Sequence, residues 1–344
     1  MSAGLSLLDD TARLEHLFAP AAGFEALALA VSGGADSLAL LLLAARWAQG
    51  RQVRLAVYSV DHGLRPEAAS EVAMVLAAAS GLGLTARGLT WAGPHKQTGV
   101  QAAAREARYQ LMGAAMQADG ATLLLTAHHL QDQAETVLMR LAHGSGVDGL
   151  RGMSSFSSVE GVRIFRPLLD VDPDELKAVV AAGGLMPAQD PSNTDTHYER
   201  VRWRAMLPQL AELGLTARRL ADFAGRAGQA QDVVALSAER AELDLVTRID
   251  GVMTVAQAGF AELPQAVGVL LLSRLLAEVG GGRKSRAIGS VEVVQRALVA
   301  ETAFRGRTLH GCQIRVARGV ITLAPEPGRA AKAGSAKVMQ PFQT

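Results

Sequence analysis

Cysteine is almost missing from this sequence: Cys312 is the only one among 344 residues. A single thiol excludes an intramolecular disulfide, and it equally excludes an all-protein Cys₄ zinc or iron–sulfur site within one chain. Aromatic residues are scarce at 4% and charged residues amount to 19%, against a hydrophobic fraction of 49%. Nowhere, however, do about 18 apolar residues run without interruption, so no membrane span is expected. The opening stretch MSAGLSLLDDTARLEHLF carries acids early and has no basic segment ahead of an apolar one. That argues against a secretory leader and, with the thiol count, for a reducing cytoplasm. At roughly 100–200 residues per domain, the length predicts two or three domains with at least one well-buried core.

Net charge is small as well, only +1, but it is unevenly spread. Residues 1–200 hold 15 Lys and Arg against 21 Asp and Glu, whereas residues 201–344 hold 19 against 12. An acidic half followed by a basic half suits a cationic or metal-bound ligand in one and a polyanion in the other; a solvated surface with neither task is equally compatible.

What the chain does have is alternation. Leu27–Val31 is a short buried apolar run, followed by SGGADS and then by LALLLLAARWA, long enough for a helix: strand, loop, helix. Val53–Val60, Leu84–Thr90 and Ala121–Ala127 read as further strands, with helices at Ala68–Ser80, Gln101–Gln117 and Asp132–His143. Strands alternating with helices imply an α/β fold with a parallel sheet covered on both faces, whose ligands sit beyond the carboxyl ends of the strands. The first domain is expected to end near Leu210, at residues 1–210. A mainly helical region follows over 211–325, with helices at Thr216–Val246, Leu263–Val279 and Ser290–Ala300 and two short β-like runs, Gln313–Ala317 and Val320–Leu323. Residues 326–344, rich in Ala, Gly, Lys and Pro, read as a disordered tail.

Polar residues collect where such a sheet would present them. In Ser32–Gly33–Gly34–Ala35–Asp36–Ser37 the two glycines let the backbone turn tightly and aim successive N–H groups at an anion, and the helix that follows adds its positive end. No Lys follows the second Gly, unlike a Walker-type loop, so nothing here holds a transferring γ-phosphate by a fixed cation. With Asp36 able to hold Mg²⁺, the loop suits retention of a β,γ-pyrophosphate while the bond to the α-phosphorus is cut. Asp61 and His62, in SVDHGLRP, emerge after the second strand, where a base or ribose would lie. In TAHHLQDQAET, Asp132 and Glu135 share a helix face, placing paired carboxylates at the site mouth for Mg²⁺, a cationic substrate or an amine proton. Helix capping is an alternative reading for Asp132. Arg105 and Arg108 lie three apart on one helix and suit an α-phosphate, with a surface ion-pair role the better reading for Arg105. The stretch DPSNTDTHYERVRWR joins Asp190, Asp195, Arg200, Arg202 and Arg204 with Tyr198 and Trp203, which fits either stacking and gripping an RNA strand or an elbow held by ion pairs.

Together these segments resemble the tRNA(Ile)-lysidine synthetase family, within the PP-loop (N-type ATP pyrophosphatase) superfamily. The resemblance runs over residues 25–210 through LAVSGGADS, VDHGLRP, AAREARY, TAHHLQDQAETVLMRLAHGSGVDGLRGM, RPLL and DPSNTDTHYER. It implies a Rossmann-like PP-loop ATPase domain and a second domain that binds tRNA. It further implies an activity in which ATP adenylates the C2 oxygen of the wobble cytidine, position 34 of a CAU anticodon, and free L-lysine then displaces AMP, so that the tRNA reads AUA. ATP and Mg²⁺ are the implied cofactors, and tRNA(Ile) and lysine the partners. By this carry-over Ser32, Gly33, Gly34, Ala35, Asp36 and Ser37 bind ATP with Asp61 and His62 nearby, Arg108, His128, Asp132 and Glu135 line the adenylation and lysine site, and Asp36 and Asp132 are the candidate metal ligands.

Two positions depart from the family pattern: Gln131 stands where a second Asp is usual, and Val201 where many relatives have Asn. Rival readings are a PP-loop thiolase, which would need Cys pairs that Cys312 cannot supply, a catalytically silent RNA-binding module, and an NAD-synthetase-like amide former supported by SGGADS alone.

Overall fold

The computed structural model describes residues 6–63, 67–91, 93, 100–188, 195–281, 288–300 and 304–326. These fall into two compact units, Met1–Gly144 with Gly149–Gly225, and Ser145–Asp148 with Arg226–Thr344. Leu64–Pro66 of the HGLRP motif, the DPSN residues including Asp190, and the expected tail from residue 327 onward lie outside the described residues.

In the first unit the elements follow in the order α1 (Thr11–Phe18), β1 (Ala26–Ala30), α2 (Ala35–Ala48), β2 (Arg54–Asp61), α3 (Ala68–Gly81), β3 (Thr85–Thr90), α4 (Val100–Asp119), β4 (Leu123–Leu125), α5 (Leu130–Ala142), α6 (Val147–Leu150, whose first two residues belong to the second unit), β5 (Phe156–Val159), β6 (Val162–Phe165), α7 (Pro173–Ala182) and α8 (Glu199–Glu212). In α9 (Ala217–Leu245) the chain passes into the second unit. The sheet order is β3-β2-β1-β4-β6-β5. All neighbours are parallel except β5, which pairs antiparallel with β6. The expected α/β architecture is therefore present, with one antiparallel edge strand added.

The ALALA sequence of β1 explains how both faces are filled. Side chains alternate across a strand, so Leu27 and Leu29 enter one core with Leu38 and Leu41 of α2 and Val179 of α7. Ala26 and Ala28 face the other, where Tyr58, Leu124 and the α4 residues Tyr109 and Met112 gather. Small residues on that face leave room for the larger side chains of α4. The chain runs outward from β1 to β2 and β3, then returns to place β4 on the other side of β1. The order reverses between β1 and β4, and the crevice at their carboxyl ends is where such a sheet receives ligands.

The second unit holds β7 (Val246–Ile249), β8 (Val252–Ala256), α10 (Gln257–Ala261), α11 (Gln265–Val279), α12 (Ile288–Ala300), β9 (Arg307–Leu309), β10 (Cys312–Ala317) and β11 (Val320–Pro325). Its strands form an antiparallel sheet ordered β7-β8-β11-β10-β9. Leu271, Leu272 and Leu275 of α11 and Val291 and Leu298 of α12 share a core with Met253, Ile314 and Leu323 of the sheet. Two β-like runs were expected here, and five strands are found among the described residues. The extra strands are short and tied by two-residue turns, Asp250–Gly251 and His310–Gly311, whose residues all have positive φ, the geometry that matches strand twist.

Cys312 is fully buried in this core, and its thiol donates to the Leu276 carbonyl at 3.3 Å. Burial, with Glu326 nearby, pushes the thiol up to about 11. We expect a thiol reagent at about pH 8 to label the native protein at least ~10²-fold more slowly than the denatured chain, since reaction needs both opening and ionisation. Equal rates in the two states would show that this core is not closed.

Candidate active site

The SGGADS loop is built by its own residues. Gly33 takes φ +91°, a conformation that side chains other than glycine rarely adopt. Gly34 starts α2 from an extended conformation, with no side chain capping the helix. The Ser37 hydroxyl donates to the Gly34 carbonyl at 2.9 Å and accepts from the Ser32 amide at 3.1 Å, and the Ser32 and Ser37 hydroxyls lie 3.3 Å apart. From outside the loop, the Ala188 amide donates to the Gly33 carbonyl at 2.9 Å. The first N–H groups of α2 thus have no side-chain acceptor, and the helix dipole adds about half a positive charge there. An anion-binding cradle results. The helix begins at Ala35, so Asp36 lies in its first turn with a side chain 43% exposed.

Across the crevice, β4 leads into α5. Asp132 lies in the first turn of α5 and accepts from the His129 amide at 3.1 Å, half of a capping arrangement. Its carboxylate also faces the site: His129 Nε2 is 3.5 Å from Asp36 and 3.5 Å from Asp132. Burial lowers the His129 pKa, but the hydrogen bond to Asp36 and the charges of Asp132 and Asp36 outweigh it, and the net shift is upward. His129 therefore links the phosphate loop to the carboxylate of α5. Among the described residues no group of three or more His, Cys, Asp or Glu has a metal-binding arrangement. Magnesium needs no such cage, because one or two carboxylates suffice when substrate phosphates complete its shell. Asp36 and Asp132, converging on one imidazole beside the cradle, fit that ion.

His128 behaves differently. Its Nδ1 lies 2.9 Å from the Thr126 hydroxyl. Burial carries its pKa down to about 4; Asp132 opposes this, and Arg166, Arg200 and Arg105 reinforce it. The ring is neutral at physiological pH. Between about pH 4 and 6.5 the unfolded chain binds a proton at His128 that the folded chain does not, so stability falls as pH drops through that window. His128→Gln should flatten this part of the stability profile by on the order of 2–3 kcal/mol. Identical urea-midpoint curves for variant and parent from about pH 7 to 4 would refute it.

Glu135 was expected at an open mouth beside Asp132. Its side chain is instead fully buried, 2.7 Å from Arg204 Nε and 3.1 Å from Arg200 Nε. Arg204 also reaches Asp132 at 3.5 Å, and the Arg200 guanidinium donates to the Thr136 hydroxyl at 3.4 Å. Burial pushes the Glu135 carboxyl up while the two guanidiniums oppose it. Burial draws Arg204 down, but the hydrogen bond and charge of Glu135 raise it above the ordinary arginine value. For Glu135 burial outweighs the guanidiniums and the net shift is upward. Arg200 and Arg204, four apart on α8, present one face to α5, where Ala134, Val137, Leu138, Leu207 and Leu220 share a small core. Trp203 packs against that core, with its Nε1 donating to Glu199 at 3.2 Å. Arg202 donates to the Thr196 and His197 carbonyls at 2.9 Å each. For these side chains the ion-paired elbow is the reading the geometry favours over a stacking surface.

Asp61 ends β2 at the carboxyl edge as expected, and its carboxylate accepts from the Gly63 amide at 2.7 Å. His62 follows it there. Arg105 and Arg108 both lie over the Tyr109 ring, 5.2 and 5.3 Å from its centroid. Arg105, read from sequence as a surface residue, is exposed yet acts electrostatically on His128. Two contributors went unassigned in the sequence: His129 as the link between loop and helix, and Arg166, at the end of β6. The RPLL motif was the only available signal for Arg166.

A model of the PP-loop domain matches residues 7–210. The tRNA(Ile)-lysidine synthase of Bradyrhizobium diazoefficiens is 43% identical, covering 92% of this chain and 94% of its own length. That of Methylobacterium nodulans is 42% identical, covering 93% and 95%. Among solved structures, a U34-tRNA thiolase of Methanococcus maripaludis with a [4Fe-4S] cluster superposes with a TM-score of 0.54 at 16% identity, over 63% of this chain and 77% of that one, a likeness of fold alone. The phosphate loop, the strand order and the relatives converge: this chain is an enzyme of the tRNA(Ile)-lysidine synthase family, carrying a PP-loop domain.

Proposed function

We propose that this enzyme ligates free L-lysine to C2 of cytidine 34 in the CAU anticodon of tRNA(Ile), through an ATP-derived adenylate. The observation that carries the reading is the uncapped N-terminus of α2 beside two carboxylates, Asp36 and Asp132, joined through His129. In the first step the cytosine C2 oxygen attacks the α-phosphorus and the bond to pyrophosphate breaks. The amides of Gly34 to Ser37 hold the departing pyrophosphate, and no lysine in the loop competes for a γ-phosphate. Magnesium, held by Asp36 and Asp132, would neutralise charge on the phosphates. In the second step the lysine ε-nitrogen attacks C2, the C–O bond breaks, AMP leaves and the amine gives up a proton. Asp132 is the carboxylate placed to attract the cationic lysine. Neutral His128, held by Thr126, is suited to hydrogen-bond a polar edge without adding charge. Arg108, beside Tyr109, is suited to the α-phosphate. The basic excess of residues 211–325, 14 Lys and Arg against 11 Asp and Glu, is small but of the sign that tRNA contact by this region needs.

The test is nucleoside analysis of unmodified tRNA(Ile) incubated with the protein, ATP and lysine. We expect lysidine at position 34 with one AMP and one pyrophosphate per lysine incorporated. Pyrophosphate release without lysine incorporation, or no change in the tRNA, would overturn the reading.

A further inference from the structure

Arg166 is 7% exposed, and no carboxylate pairs with it among the described residues. A buried guanidinium with no counter-ion is expensive to keep, and such groups collect at sites that need charge. Its place is set by tertiary contacts. The Arg166 amide donates to the Ser155 carbonyl at 2.9 Å and Nη1 to the Ser154 carbonyl at 2.7 Å. The segment that supplies those carbonyls is itself clamped. Gln133 bonds both the amide and the carbonyl of Met153, at 2.6 and 2.9 Å, and Arg140 donates to the carbonyls of Gly149 and Gly152 at 2.7 and 2.6 Å. Gly152 has φ +66°, and a Cβ there would meet Gln133 Oε1 at 2.5 Å. The guanidinium is thus held in advance of any ligand, as electrostatic preorganisation requires.

Two buried donors nearby lack acceptors. Among the described residues Arg166 Nε has no hydrogen-bond partner, and neither does the hydroxyl of Tyr109, which is 1% exposed. Tyr109 shares a core with Val162 and Ile164 of β6, the strand that leads into Arg166, and Arg105 adds positive charge beside Arg166. Arg105, over the Tyr109 ring, is exposed and able to follow an incoming anion. β6 pairs with β4, and the Thr126 amide donates to the Phe165 carbonyl at 3.0 Å, which sets Arg166 beside the strand end that carries His128.

We propose that Arg166, Tyr109 and Arg105 form a second anion site, separate from the SGGADS cradle, that takes a phosphate group of a nucleotide substrate. The identity of those substrates rests on the function proposed above. The phosphate belongs either to the α-position of ATP or to a phosphodiester of the RNA, and the two sources respond differently.

Arg166→Met, Arg166→Lys and Arg105→Gln should be made in the full chain, and binding of AMP and of unmodified tRNA measured over a salt series, alongside thermal midpoints. Arg166→Met should weaken one ligand about 10- to 100-fold with the midpoint unchanged or raised, because methionine of similar volume removes an uncompensated charge. Arg166→Lys should recover part of the affinity, and Arg105→Gln should weaken the same ligand less. Loss of AMP affinity with an unchanged salt slope for tRNA assigns the α-phosphate. Loss of tRNA affinity with a slope shallower by about 0.7–0.9 assigns a phosphodiester. Wild-type affinities in Arg166→Met, or a fallen midpoint with wild-type affinities in Arg105→Gln, would overturn the site and leave Arg166 a structural residue. None of these bindings requires lysine, so failure to form lysidine would sink the proposed function without touching this test.

Discussion

Asp36→Ala is expected to lower ATP-dependent pyrophosphate release by on the order of 10²–10³-fold, the usual cost of losing a group that stabilises transition-state charge. The thermal midpoint should move by no more than about 2 °C, since surface substitutions rarely cost much stability. The physical basis is the contrast between position and burial. Asp36 lies in the first turn of α2, 43% exposed, and supports no core. Among the described residues its ion-pair partner is His129, which keeps Asp132 as a second. Removing the carboxylate therefore deletes a charge from the site while leaving the fold its contacts. Pyrophosphate release at the parental rate, measured at saturating ATP, would remove Asp36 from the chemistry.

Arg204→Met should do the reverse, acting first on stability. Glu135 is fully buried and Arg204 supplies its shortest contact, at 2.7 Å. Breaking a buried pair typically costs 3–5 kcal/mol, because the surviving charge stays buried. Arg200 at 3.1 Å remains, so the lower end, about 3 kcal/mol, is expected. In a unit of this size that is a fall of roughly 6–12 °C in thermal midpoint. Adding Glu135→Gln should return much of the loss, since the stranded charge is then gone, and a double-mutant cycle measures how much. If Arg204→Met melts with the parent, the pair contributes nothing to the docking of α8 on α5. If the double variant is no more stable than Arg204→Met alone, the cost lies in lost packing and not in the charge.

The two expectations divide the acidic residues that one sequence motif had grouped together. Asp132 and Glu135 are three apart and both precede the middle of α5, so spacing alone assigned them to one mouth. In the fold, Asp132 turns toward Asp36 through His129, while Glu135 turns into the interface with α8. The distinction is made by residues 65 and 69 positions further on, and no local pattern reports it.

Much else was local, and therefore legible. The alternation of β1, with leucine on one face and alanine on the other, the length of the apolar stretch in α2 and the Gly–Gly turn between them depend on contacts within a few residues, and sequence suffices to read them. The turns Glu160–Gly161, Asp250–Gly251, His310–Gly311 and Arg318–Gly319, each with both residues at positive φ, were also written in the chain as residue–Gly pairs. Only the Asp–Gly pair belongs to the usual turn vocabulary, and so only two of this sheet's five strands were legible in the sequence. The pairing of Arg200 and Arg204 with Glu135, and the burial of Arg166 without a counter-ion among the described residues, were decided by tertiary structure alone. Periodicity and turn chemistry are properties of neighbouring residues. Which charge meets which is settled only when Leu207 and Leu220 pack on Ala134 and Leu138 and bring α8 against α5, because electrostatic energy depends on distance and burial, and neither exists before the chain folds.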